Sequence, residues 1–148
     1  MHQKLTAAAR IVLGLLFFVF GLNGFLQFIP VPADAMSEAM MGLMNGFAGT
    51  GYFFPLLKGT EVIVGLMLLA NFWVPLALVI LAPIVVNIFA VHLFLDEIKN
   101  IPIALLCVVL MSYLGYSYRS YFSPLFVSAP QANKDLSCHH HHAATKAH

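Results

Sequence analysis

The sequence predicts an all-α integral membrane protein: a four-helix bundle with a short interfacial or re-entrant helix between the first two spans. Two observations carry that prediction. Of 148 residues, 61% are hydrophobic and only 9% are charged, against about 25% charged in an ordinary soluble domain. The apolar residues are also gathered into four long runs. Each approaches the roughly 17–25 residues that a helix rising about 1.5 Å per residue needs to cross a hydrocarbon core of about 30 Å.

The first run, IVLGLLFFVFGLNGFLQFI (11–29), stops at Pro30 and Pro32. Lys4 and Arg10 precede it and Ala33-Asp34-Ala35 imitates a signal-peptidase site. The run exceeds a typical signal core, so it reads as an uncleaved helix. The segment MSEAMMGLMNGFAGTGYFF (36–54) is apolar enough to touch a membrane but too short and glycine-rich to cross and return. It reads as an interfacial or partly re-entrant lid over the outer face. Its Met36, Met40, Met41 and Met44 recur near helical spacing, which suits a packing face better than a metal site.

The second span covers about 55–72 and ends in the turn-like NFWVP. The third, 74–95, contains Pro83, which removes a backbone hydrogen bond and invites a kink, and Asn87 one turn later, placed to meet the freed backbone. The fourth, 101–118, follows DEIKN, where Asn100 can cap a helix with Pro102 in its first turn. Tyr113, Tyr116, Tyr118 and Tyr121 cluster at its far end as an aromatic anchor. These spans define a membrane domain over 1–128, followed by a flexible tail over 129–148. In that tail Cys138, His139, His140, His141, His142 and His148 are chemically able to ligate zinc, copper or nickel. With nothing flanking them to fix geometry, the run reads as adventitious or tag-like, and no resident metal is expected.

Lys4 and Arg10 lie before the first span and Arg119, Lys134 and Lys146 after the fourth, whereas the opposite loops hold Asp34, Glu38, Asp96, Glu97 and Lys99. The positive-inside rule therefore predicts that both termini are cytoplasmic. A net charge of +1 with no basic patch excludes nucleic acid as a partner. Cys107 and Cys138 form neither a CxxC pair nor a disulfide framework.

The polar residues inside the spans carry the functional signal. Asn23 and Gln27, Lys58 and Glu61, and His92 and Asp96 all lie within about two turns of the outer boundary of their spans. They define one polar slab in the outer third of the membrane. A charge at the centre of a membrane helix costs about 2.5–3.5 kcal/mol, so the chain is not expected to turn Lys58 and Glu61 toward lipid. At 100° per residue Lys58, Glu61, Gly65 and Leu69 share a face, so the ions can pair across one turn while Gly65 admits a close neighbour. Two readings stay open: a structural clamp that ties the second span to Asn23 or His92, or a pocket for the head group of a quinone or lipid. Gly14 and Gly21 lie almost opposite Asn23 and Gln27, so an inward polar face would leave the glycine face free for a partner helix or a second copy.

RIVLGLLFFVFGLNGF (10–25) followed by TGYFFPLLKGTEVIVGLMLL (50–69) resembles the DoxX family of small bacterial membrane proteins, over roughly residues 8–120. The similarity rests on Arg-x-x-Leu-Gly and Phe-Gly in the first span and on Lys-x-x-Glu-x-x-x-Gly in the second, here Lys58, Glu61 and Gly65. It implies a four-helix bundle in the bacterial inner membrane, associated with a redox system such as a thiosulfate:quinone oxidoreductase. On that basis the chain is expected to be a subunit that is no enzyme on its own. It would offer a periplasmic quinone or lipid head-group pocket and act beside a partner membrane or redox protein, or as a homo-oligomer. No group is expected to be covalently bound. A non-catalytic scaffold or assembly subunit and a small-solute permeation unit are the alternatives.

Overall fold

The computed structural model describes residues 2–30, 36–96 and 101–123, and among these every regular element is helical. The order is α1 (His2–Leu26), α2 (Glu38–Gly49), α3 (Phe53–Leu69), α4 (Val74–Phe94), α5 (Ile101–Ser117) and the single turn α6 (Arg119–Phe122). By length and composition α1 and α4 can each cross a membrane, and the α2–α3 pair is a third such unit if taken as one bent span; α5, at 17 residues, is shorter.

The helix boundaries follow from local chemistry. No breaker lies between His2 and Arg10, so α1 begins well before its apolar run. It ends three residues before the run does. Gln27 adopts a left-handed φ of 49°. The Asn23 side chain reaches forward to accept the Ile29 N–H at 2.6 Å and donates to the Ile29 carbonyl at 3.3 Å. Pro30 then has no N–H to continue the helix. At the start of α2, Ser37 Oγ accepts the Met40 N–H at 3.1 Å and Glu38 lies in the first turn, where the helix dipole favours an anion.

Between α2 and α3 the chain bends by 97°. Gly51 supplies the positive φ of 73° that the corner requires. Thr50 Oγ1 stitches it by donating to the Phe47 carbonyl at 2.7 Å and accepting the Phe53 N–H at 3.2 Å. α3 closes with a Schellman arrangement: Asn71 is left-handed, the Phe72 N–H bonds the Met67 carbonyl at 2.9 Å, and the Asn71 N–H bonds the Leu68 carbonyl at 3.3 Å. α4 starts at once with Pro75 in its first turn and runs unbroken through Pro83.

α1 packs on α3 and α5, and α4 packs on α3 and α5, so these four helices close a ring. Leu13, Leu68, Leu81 and Leu114 are fully buried inside it. Its outer surface stays apolar, with Ile63, Val86, Phe94 and Val109 all more than half exposed.

The tightest contact is the antiparallel seam between α1 and α3. Gly14 faces Gly65 and Leu68, Gly21 faces Glu61 and Val62, and Gly24 lies under the stem of Lys58. A glycine face free for a second copy is therefore not what forms: Gly14 and Gly21 are buried against the chain's own α3. Small residues let two backbones approach, and here that approach sets the rotation of α1. At the N-terminal end of the seam the Arg10 guanidinium donates to the Leu68 carbonyl, beside the Asn71 N–H that already reaches it, and at 3.3 Å to the Leu69 carbonyl in the last turn of α3. Thr6 Oγ1 meets Tyr113 OH at 3.3 Å and so ties the start of α1 to the end of α5.

Candidate functional site

At the opposite end of the ring, side chains from α1 to α5 line a partly open cavity of about 290 Å³. Leu16, Phe17 and Phe20 of α1 form one wall. The underside of α2 supplies Met40, Met44 and Phe47, spaced four and three residues apart and hence on one helical face. Ser37 Oγ donates to the Leu95 carbonyl, which fastens the start of this lid to the last turn of α4. Phe47 and Phe53, with ring centroids 4.4 Å apart, hold its other end to α3.

Into this apolar enclosure α3 brings an ion pair, with Lys58 Nζ 2.8 Å from Glu61 Oε2. Glu61 is only 3% exposed, and the Lys58 side chain 20%. The pair exists because i and i+3 on a helix are neighbours, and it is buried because Gly21 and Gly24 bring α1 down onto both residues. The Lys58 ammonium also stands 5.7 Å from the centre of the Phe54 ring.

From α4 come Asn87 and His92. His92 Nδ1 donates to the Ile88 carbonyl at 2.8 Å, which fixes the ring, and Nε2 lies 3.7 Å from Asp96 Oδ2, longer than a direct hydrogen bond. Asp96, with its side chain 2% exposed, belongs to the surroundings of His92, and the cavity lining itself does not include it. α5 contributes Cys107, 7% exposed, as a free thiol.

The six polar residues of the expected slab are thus divided. Lys58, Glu61 and His92 share the cavity, with Asp96 beside His92. Asn23 is spent on closing the turn at Ile29, and Gln27 is exposed in that turn; neither lines the cavity. Gly14, Gly21 and Gly65 act one step removed, through the seam that positions Glu61.

Asn87 and Cys107 line the cavity without having been assigned to the site from sequence. Asn87 reads there as a backbone partner for Pro83, yet residues 87, 88, 91 and 92 all line the cavity and form the i, i+1, i+4, i+5 stripe of one helix face. That spacing to His92 was a usable signal. Cys107, alone in an apolar run, offered none. Among the described residues no group of three or more His, Cys, Asp or Glu is placed to hold a metal ion. Cys138, His139 to His142 and His148 lie outside the described residues.

Chemically, the site combines apolar walls with one ammonium donor, one carboxylate acceptor and an imidazole. The two charges sum to zero, so the enclosure suits a neutral guest that carries a polar end. Comparisons of the chain with family models, curated proteins and solved structures find no match.

Proposed function

We propose that the chain is a four-span protein of the bacterial inner membrane, with both termini cytoplasmic, whose lidded cavity receives the head group of a membrane-dissolved quinone on behalf of a partner redox protein. The observation that carries this reading is the Lys58–Glu61 pair, buried yet opening into a largely apolar cavity. A volume of about 290 Å³ sits at the lower edge of the roughly 300–1,000 Å³ of small-molecule pockets, which favours a compact head group. A quinone oxygen accepts a hydrogen bond when oxidised and donates one when reduced. Lys58 and Glu61, side by side, answer the two needs in turn. A lipid phosphate fits less well, because its charge would lie against Glu61.

The DoxX-like pattern of Lys58, Glu61 and Gly65 supports the same reading and supplies its redox association. Electron transfer would belong to the partner. The clamp behind the scaffold reading has less support, since among the described residues the two ions, both on α3, bond each other and no second helix. Permeation is disfavoured by the layer toward the N-terminal end of the ring, where Leu13, Leu68, Leu81 and Leu114 are fully packed.

The test is extraction in mild detergent, mass spectrometric identification of co-purified quinone, and titration with a short-tailed quinone. Wild type should retain and rebind quinone, while Lys58→Met and Glu61→Gln should each weaken binding by about tenfold, the worth of one hydrogen bond to a charged group. Equal binding by wild type and the doubly substituted protein, with both folded, would remove the proposal.

A further inference from the structure

A second cavity, of about 700 Å³, lies at the other end of the ring, between the start of α1, the α3–α4 turn and the end of α5. Its lining differs in kind from that of the first. Arg10 and Arg119 both border it, together with Thr6, Asn71, Tyr113 and Ser117, and among the described residues no carboxylate does.

Each guanidinium keeps donors to spare. An arginine has five N–H donors in a planar fork. Arg10 bonds the Leu68 and Leu69 carbonyls through a single terminal nitrogen, Nη1. Arg119 rests over the face of Tyr116, 4.4 Å from the ring centre, a contact that consumes none of its in-plane N–H groups. Thr6 and Ser117 spend their hydroxyl protons on the His2 and Tyr113 carbonyls, at 3.0 and 2.9 Å, so the donors left for an anionic guest are chiefly those of the two arginines. Two arginine forks bordering one concavity, with no acidic residue among its described lining, make a site complementary to an oxyanion. Planar forks match phosphate oxygens best.

The geometry points to a binding site for a phosphate-bearing anion at this end of the molecule, held by Arg10 and Arg119. The site is independent of what the first cavity takes. With the topology proposed above it opens at the cytoplasmic interface, where exposed Tyr116 lines it. Anionic lipid head groups are concentrated there. The chemistry is shared by a lipid phosphodiester and a free phosphate, and the experiment separates the two.

Full-length protein in a neutral detergent is titrated with short-chain phosphatidylglycerol, short-chain phosphatidylcholine and inorganic phosphate. Adducts are read by native mass spectrometry and stabilisation by thermal melting. Phosphatidylglycerol or phosphate should bind about tenfold more tightly than phosphatidylcholine, and Arg119→Gln should abolish most of that preference. Binding should also weaken as salt rises. Arg119 lies on the surface, so its replacement leaves the fold intact and decides the matter even if an Arg10 variant unfolds. Preference for phosphatidylglycerol alone identifies a lipid, and competition by inorganic phosphate at similar concentration identifies a free anion. Equal affinity for both lipids with phosphate inert would overturn the site, as would an undiminished preference in folded Arg119→Gln.

Discussion

Gly65 lies directly against the backbone of α1 at Phe18: a methyl group on its Cα would stand 2.6 Å from the Phe18 nitrogen and 2.9 Å from the Gly14 carbonyl oxygen. Backbone cannot swing aside as a side chain can, so Gly65→Ala must separate α1 from α3. The expected loss is about 1–3 kcal/mol, the usual cost of overpacking. Gly14→Ala, whose nearest contacts are side-chain atoms at 3.1 Å, should cost less. Gly42→Ala is the control, since it points into open space on α2 and gains helix propensity of up to about 1 kcal/mol. Thermal melting in one detergent ranks the three, and a Gly65→Ala protein as stable as Gly42→Ala would refute the seam.

The Lys58–Glu61 pair gives a second prediction, about stability apart from binding. Removing one partner strands the other, and for buried pairs that costs about 3–5 kcal/mol. Lys58→Met should fall at the low end, because the lysine side chain is 20% exposed and water can approach Glu61 once it is gone. Combining it with Glu61→Gln leaves no charge to strand and should recover most of the melting temperature while ligand binding stays lost. A double variant no more stable than Lys58→Met would mean that the pair stabilises the fold by more than cancelling its own burial.

Arg10 gives a third. From sequence it orients the chain and opens the Arg-x-x-Leu-Gly pattern; in the structure it donates to the Leu68 and Leu69 carbonyls at the end of α3. Arg10→Ala leaves those acceptors without it and should cost about 1–3 kcal/mol, with Arg10→Lys in between. Hydrogen exchange should rise first around residues 66–72, where the Schellman turn depends on the same end of the helix. Protection unchanged there in Arg10→Ala would contradict the capping role.

What could be read from sequence, and what could not, divides along one physical line. Turn chemistry is local, so Pro30, the NFWVP turn and Pro102 place the helix ends to within a few residues, although the corner at Thr50 and Gly51 falls inside the 36–54 segment that the sequence presents as one piece. Height along a helix is legible in the same way, which is how Lys58, Glu61 and His92 come to be grouped. Rotation about the helix axis is not local. Asn23 and Gly21 compete to face inward, and the outcome depends on how closely α3 can approach, a property of both helices together. The glycines win because their contact is continuous from Gly14 to Gly24. Asn23 can satisfy itself within its own turn. Cys107 illustrates the same limit, since nothing in its neighbourhood in sequence indicates that it shares a cavity with Glu61.

The lid supplies the last prediction. Ser37 does two things at once: Oγ accepts the Met40 N–H to cap α2, and it donates to the Leu95 carbonyl to hold α2 on α4. Ser37→Ala removes both bonds, and loss of a helix N-cap alone is worth about 0.5–2 kcal/mol. That loss falls on the lid and spares the ring, because Leu13, Leu68, Leu81 and Leu114 take no part in it. The global melting temperature should therefore change little, while exchange over residues 38–44 accelerates by about tenfold or more for each 1.4 kcal/mol lost. Any guest beneath Met40 and Met44 should leave faster, raising its dissociation rate with little change in association. Ser37→Thr keeps the hydroxyl and should restore slow exchange. Equal exchange across wild type, Ser37→Ala and Ser37→Thr would show that the lid is held by Met40, Met44 and Phe47 packing alone, and that its first turn carries no latch.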